Sequence, residues 1–220
     1  MTPATAGPAA EEPHVATVAD VVGLVGDVPL DRIIWHPFPA TEDDVVRLGD
    51  AEPKRLCELV DGVLVEKVTG NRESLLAGWL ITCLNNFVVP RRFGVVGAPD
   101  AAMRLAPGLL RLPDVSFVRW AAPPSPDAAY APDLAVEILS ERNTRREIDR
   151  KRREYFAAGT RLVWIVDPRA ETVAVYTDPD THTLLTSADT LTGGDVLPGF
   201  RLPVADLFGY LDPPTAPPPL

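Results

Sequence analysis

The sequence predicts an α/β or α+β fold built on a mixed sheet. Three observations carry this. A charged amphipathic stretch after residue 143 lies between two apolar runs, 133–139 and 161–166. Such a strand–helix–strand unit packs as a right-handed crossover that makes the two strands parallel. Leu75, Leu76, Trp79, Leu80, Cys83, Leu84 and Phe87 recur at helical spacing. Asp61-Gly62 between two apolar runs is the strongest short-range hairpin signal.

In chain order, residues 1–28 read as a disordered or loosely attached segment of Pro, Ala, Thr and Glu with a short apolar patch at 21–25. Residues 29–210 are expected to form one domain, and 211–220 a Pro-rich tail. Thr41 caps a short helix whose first acids suit the positive end of its dipole, ending near Gly49. Strands at 56–60 and 63–68 flank the Asp-Gly turn. A helix over 72–88 follows, and Pro90 is expected to stop it. Short strands are predicted at 94–96, 102–105 and 112–118, then a Pro-rich loop at 121–132 and a strand at 133–139. Asn143 or Thr144 opens the charged helix, which Ala158-Gly159 ends. The run 161–166 reads as a strand buried on both faces. Residues 172–176 and 183–186 make a closing hairpin. The segment LTGGDVLPGFRLPVADLF reads as a further hairpin and a packing edge.

The totals exclude several classes. The formal charge of −10 argues against a protein that coats nucleic acid non-specifically. The two cysteines, Cys57 and Cys83, have neither CxxC spacing nor nearby histidines, which speaks against a disulfide framework or a zinc site. No apolar run approaches the roughly 20 residues of a membrane span. The start MTPATAGPAAEEPH lacks a basic n-region and an apolar h-region. A cytoplasmic protein is the expectation.

The chemistry is concentrated in two strands and a helix. Period-2 alternation puts Leu112, Asp114, Ser116 and Val118 on one face, and Asp133, Ala135, Glu137 and Leu139 on one face of the next strand. If the strands are neighbours, Asp114 and Glu137 converge over a floor of small residues. Two carboxylates that close call for a proton or a cation, and oxygen-only ligands select Mg²⁺ or Mn²⁺. On the charged helix, Ile148 and Tyr155 define the apolar stripe and Lys151 lies at its edge. From there its ammonium either snorkels to solvent or reaches the carboxylates. Seven basic residues crowd twelve positions, among them Arg145, Arg146, Arg150 and Arg152. They form either a solvated face with pairs such as Glu147–Lys151 and Arg150–Glu154 or a phosphate-binding strip. His14, His36 and His182 fall outside every motif.

The segments LCELVDGVLVEK, RLPDVSFV, PDLAVEILSERNT and KRREYFAAGTRLVWIVDP resemble the Uma2 family, formerly a domain of unknown function, placed among PD-(D/E)XK restriction-endonuclease-like folds. The resemblance runs from about Thr41 to Phe208. It implies an α-β-β-β-α-β nuclease core with an N-terminal helix/hairpin extension. It maps the PD motif onto Pro113-Asp114 and its acidic partner onto Glu137. The lysine departs from the usual pattern: Leu139 stands two residues after Glu137, and Lys151 on the following helix is the match. By the same resemblance, Glu73 is the candidate acid of the first core helix and Glu58 a recurrent position. The backbone carbonyl of Ile138 is a further candidate ligand.

The expected function is therefore a Mg²⁺- or Mn²⁺-dependent endonuclease acting on DNA, with RNA as a second substrate and a homodimer as one arrangement. The alternative is a catalytically silent nuclease-fold binding module for nucleic acid or a protein partner. A third option, hydrolysis of a small phosphorylated or nucleotide substrate, lacks a Gly-rich phosphate loop.

Overall fold

A computed structural model of the chain describes residues 17–120 and 130–212. The expectations for residues 1–16, for 121–129 of the Pro-rich stretch and for the tail from 213 lie outside the described residues.

The fold is mixed α+β, as the sequence predicts. Helix α1 (Val18–Val25) precedes a short strand β1 (Ile33–Ile34). Composition suggested a loose segment here. Instead Thr17 and Asp20 close a capping box, and Val25 packs with Val28, Val60, Val63 and Val65. Two satisfied end amides and one buried apolar edge are what the composition alone did not reveal.

Helix α2 (Glu42–Gly49) has the expected Thr41 cap, here a capping box with Asp44. Strands β2 (Cys57–Val60) and β3 (Val63–Glu66) form the expected hairpin. Asp61 and Gly62 both have positive φ, 49° and 77°, as a tight two-residue turn with the twist of its strands requires. A Cβ on Gly62 would meet Phe38 Cε2 and Pro39 Cβ at 2.9 Å. Gly62→Ala is therefore expected to cost about 2–3 kcal/mol, adding left-handed strain to overpacking. Urea unfolding of the variant measures this, and a loss below about 0.5 kcal/mol would show that the turn relaxes freely.

Helix α3 (Asn71–Arg91) carries Leu76, Leu80, Leu84 and Val88 on one buried stripe. It is longer than predicted. Pro90 lies inside its final turn, and Arg92 at φ 52° ends it. A proline that close to the end removes a ladder bond from a turn that stops anyway.

Two sheets follow from the remaining strands: β4 (Gly94–Gly97), β5 (Met103–Ala106), β6 (Leu109–Arg111), β7 (Val115–Arg119), β8 (Leu134–Ile138), β9 (Leu162–Asp167), β10 (Thr172–Tyr176) and β11 (His182–Leu185). The first has the order β1-β3-β2-β6-β5, the second β11-β10-β9-β8-β7-β4. The strand expected over 112–118 begins only at Val115, and β6 before it lies outside the predicted strands. β6 belongs to the first sheet and β7 to the second, with Leu112-Pro113-Asp114 as the crossing. Proline has no amide to extend a ladder, so the chain changes sheets there.

Helix α4 (Arg145–Ala157), capped by Thr144, connects β8 to β9, which pair in parallel as expected. Beyond β11, strands β12 (Thr190–Gly193) and β13 (Leu197–Pro203) form a two-stranded sheet followed by helix α5 (Val204–Gly209). This C-terminal unit is more than an edge. Leu191, Leu197, Phe200, Leu207 and Phe208 join α3 in the main core against Val115, Phe117, Val136 and Trp164. The other face of the second sheet receives α4: Ala135, Val163 and Ile165 pack with Ile148 and Tyr155. Among the described residues no helix is long and apolar enough to cross a membrane.

Candidate active site at the crossing of two sheets

The alternation inferred for the two carboxylate-bearing strands holds. Val115 and Phe117, with Leu134, Val136 and Ile138, enter the α3 core. β7 and β8 are antiparallel neighbours, with Ser116 opposite Ala135. Asp114 sits at the crossing rather than mid-strand, and its amide still donates to Val136 O at 2.9 Å. The face they share is not a shallow floor. Ser116 and Ala135 are fully buried, and Asp114 and Glu137 are 5% and 3% exposed. The layer of α4 covers it.

The side chains meet in one buried cluster. Lys67 Nζ lies 2.9 Å from Asp114 Oδ1, and Ile138 N donates to Asp114 Oδ2 at 2.7 Å. Lys67 also donates to the Leu112 carbonyl. Lys151 reaches over the sheet. Its Nζ is 2.8 Å from Glu58 Oε1 and 3.3 Å from Glu137 Oε2. Tyr155 donates to Glu137 Oε1 at 2.6 Å. Arg111 bridges Glu58 and Glu154, at 2.7 Å to each. Lys67, Lys151 and Arg111 thus face Asp114, Glu58, Glu137 and Glu154, and Arg150 also pairs with Glu154 from outside the cluster.

Electrostatics separates the acids. Burial pushes Glu58 up, but Lys151, Arg111 and Lys67 more than offset it and hold it far below the usual carboxylate range. Burial also pushes Glu137 up. Lys151 and Lys67 offset this only in part while Asp114 and Glu58 add to it, so its net shift is upward. Lys151 ends above an ordinary lysine, since Glu137 and Glu58 outweigh its burial. Burial and the Glu137 charge likewise raise Tyr155. Glu137 is therefore the acid of the cluster whose charged form is least favoured.

The depressed Glu58 fixes a pH dependence. A carboxylate whose folded value lies below its unfolded value contributes stability above about pH 4.5, and that contribution is lost as pH falls. Unfolding free energies measured in chelator at pH 5 and pH 3 should therefore fall more for the wild type than for Glu58→Gln. Equal losses would refute the pairing.

The remaining candidates separate. Glu73 lines the same small cavity as Asp114, Glu137 and Lys151, together with Arg32 and Lys67. Glu58 is a full member of the cluster. The basic strip is mostly occupied. Arg146 pairs with Asp27, Arg150 with Asp61 and Glu154, and Arg152 with Asp149. The expected Arg150–Glu154 pair forms at 2.6 Å. The expected Glu147–Lys151 pair does not: Glu147 instead takes Arg32 at 2.9 Å, because Lys151 is drawn inward by two carboxylates.

Sequence reading missed Lys67, Arg111 and the Tyr155 hydroxyl. A signal for two of them existed. Glu58 lies opposite Val65, so Lys67, two residues on, shares its face. Leu59 lies opposite Leu110, which puts Arg111 beside Glu58 once β6 is recognised.

Among the described residues no three His, Cys, Asp or Glu side chains converge as a metal cage. Mg²⁺ does not demand one, since it is commonly held by one or two carboxylates, waters and substrate phosphate. Asp114 and Glu137 on one cavity fit that demand by donor type. Lys67 would have to yield Asp114 Oδ1 to the ion.

One solved structure, described as "a putative nuclease belonging to DUF820 from Anabaena variabilis", has the same fold. The TM-score is 0.66 at 22% identity, over 78% of this chain and 99% of that one. The chain belongs to the Uma2 family, described as "Putative restriction endonuclease", whose profile matches residues 43–205. No curated protein sequence matches the chain.

Proposed function

We propose that this protein is a Mg²⁺- or Mn²⁺-dependent endonuclease that hydrolyses phosphodiester bonds in DNA. The observation that carries the reading is the buried cluster in which Asp114 and Glu137, on adjoining strands, share a cavity with Lys67 and Lys151. Membership in the Uma2 family supports it. Asp114 and Glu137 would hold the cation, with Glu73 and the Ile138 carbonyl at the margin. When bound, the ion would supply Lewis acidity at the scissile phosphate. Lys151 holds Glu137 in place and offers an ammonium to the charge that grows on phosphorus-bound oxygens. Lys67 holds Asp114. Tyr155 fixes one Glu137 oxygen, and Lys151 would have to yield the other to the cation.

One observation favours a second reading, a catalytically silent binding module. Every oxygen of Asp114 and Glu137 already has a protein partner. The experiment that separates the two incubates the full chain with supercoiled plasmid, single-stranded DNA and RNA, in Mg²⁺, Mn²⁺ or chelator. Cleavage of DNA that chelator abolishes is expected. No cleavage of any substrate by the folded protein would favour the silent module.

A further inference from the structure

A second cavity, of about 560 Å³, lies beside the carboxylate cluster and shares Ser140 and Asn143 with it. Its volume is that of a small-molecule site. Nothing in the nuclease reading uses it.

Its walls divide into a polar end and an apolar end. At the polar end stands the first turn of the 13-residue helix α4. The amides of Arg145 and Arg146 have no acceptor within the helix, and the dipole favours an anion there. Arg145 is exposed and, unlike Arg146, Arg150 and Arg152, forms no ion pair among the described residues. Asn143 Oδ1 accepts from Ser140 N and Oγ, both at 2.9 Å, which leaves its amide nitrogen as a donor.

Arg152 supplies the second, independent signal. Its side chain is only 9% exposed, yet Nε has no hydrogen-bond partner among the described residues. A buried guanidinium donor left unused is costly unless something accepts from it. The same guanidinium lies 4.5 Å from the centre of the Tyr176 ring, and Tyr176 sits 4.8 Å from the His182 ring. With Ile148, Ile165 and Ala174 these rings make the apolar end. Asp149 and Asp180 also line the cavity. They keep it from being a general anion trap and supply acceptors for N–H donors.

Phosphate-binding donors at one end, flat rings at the other and carboxylates that accept from amines together match one ligand class. We propose that this cavity binds a nucleotide, with its phosphate at Arg145 and the α4 N-terminus and its base against Tyr176 and His182. The inference stands apart from cleavage, since it needs no reaction. It applies equally to a free mononucleotide and to one nucleotide of a strand.

The test is calorimetric titration of the full chain, in chelator, with deoxyadenosine monophosphate, inorganic phosphate, deoxyadenosine and a short single-stranded oligonucleotide. The nucleotide should bind more tightly than phosphate or nucleoside alone. Arg145→Glu, at an exposed position, should weaken it about tenfold or more, the loss of a charge-assisted hydrogen bond plus repulsion. His182→Ala should weaken the nucleotide but not inorganic phosphate. Asp114→Asn should leave binding intact, so that this cavity and the carboxylate cluster are told apart even if no cleavage is ever seen. A tighter oligonucleotide would assign the site to a strand, and equal affinities to a single nucleotide. No saturable nucleotide binding, phosphate binding as tightly as nucleotide, or affinity unmoved by Arg145→Glu would each overturn the proposal.

Discussion

Lys151→Met is expected to lower the free energy of unfolding by about 3–5 kcal/mol, the cost of removing one partner from a buried ionic cluster. Lys151 is 3% exposed and lies between Glu58 and Glu137. Methionine fills the space of its stem but leaves both carboxylates with one cation fewer. Arg111 remains on Glu58, so most of the loss falls on Glu137, which burial already pushes toward protonation. Urea unfolding of the single variant measures the loss. The double variant Glu137→Gln with Lys151→Met should recover part of it, because the two sites share one interaction. A single variant as stable as the wild type would mean that the ion pairs contribute nothing.

Asp114→Asn is expected to reduce DNA cleavage by a factor on the order of 10²–10³, the scale of removing one preorganised electrostatic group. The change is nearly isosteric. The Asn oxygen can still accept from Ile138 N, the bond that ties the crossing to β8. The ion pair with Lys67 is lost, so a modest fall in stability accompanies the loss of activity. Initial cleavage rates, with circular dichroism to establish folding, separate the two effects. A folded variant that cleaves at the wild-type rate would remove Asp114 from the chemistry.

Much of the fold was readable because its signals are local. The Asp61-Gly62 turn, the Thr41 and Thr144 caps and the stripe from Leu76 to Val88 each sit within a few residues of the element they define. The matched faces of β7 and β8 followed from alternation, and the parallel β8–β9 pair from the intervening helix. The parts that were not readable depend on pairing between distant segments. Nothing local says that residues 109–111 pair with β2 or that the next strand waits until Val115, so β6 has no signal in the sequence. Arg111 is hidden with it, because its place beside Glu58 exists only through the β2–β6 ladder. Lys67 was hidden for a related reason: its partner Asp114 comes from the other sheet. Helix periodicity put Lys151 at the edge of a stripe. It could not say that two carboxylates would draw it in and release Glu147 to Arg32.

Whether Asp114 and Glu137 take a cation at all is the point on which enzyme and silent module divide. Titrating Mn²⁺ into the wild type and into Asp114→Asn, with electron paramagnetic resonance reporting free Mn²⁺, answers it without relying on turnover. Saturable Mn²⁺ binding in the wild type that is lost in the variant is the expected result. Binding that is the same in both proteins, or absent from the folded wild type in the presence of DNA, would contradict a cation site built on these two strands.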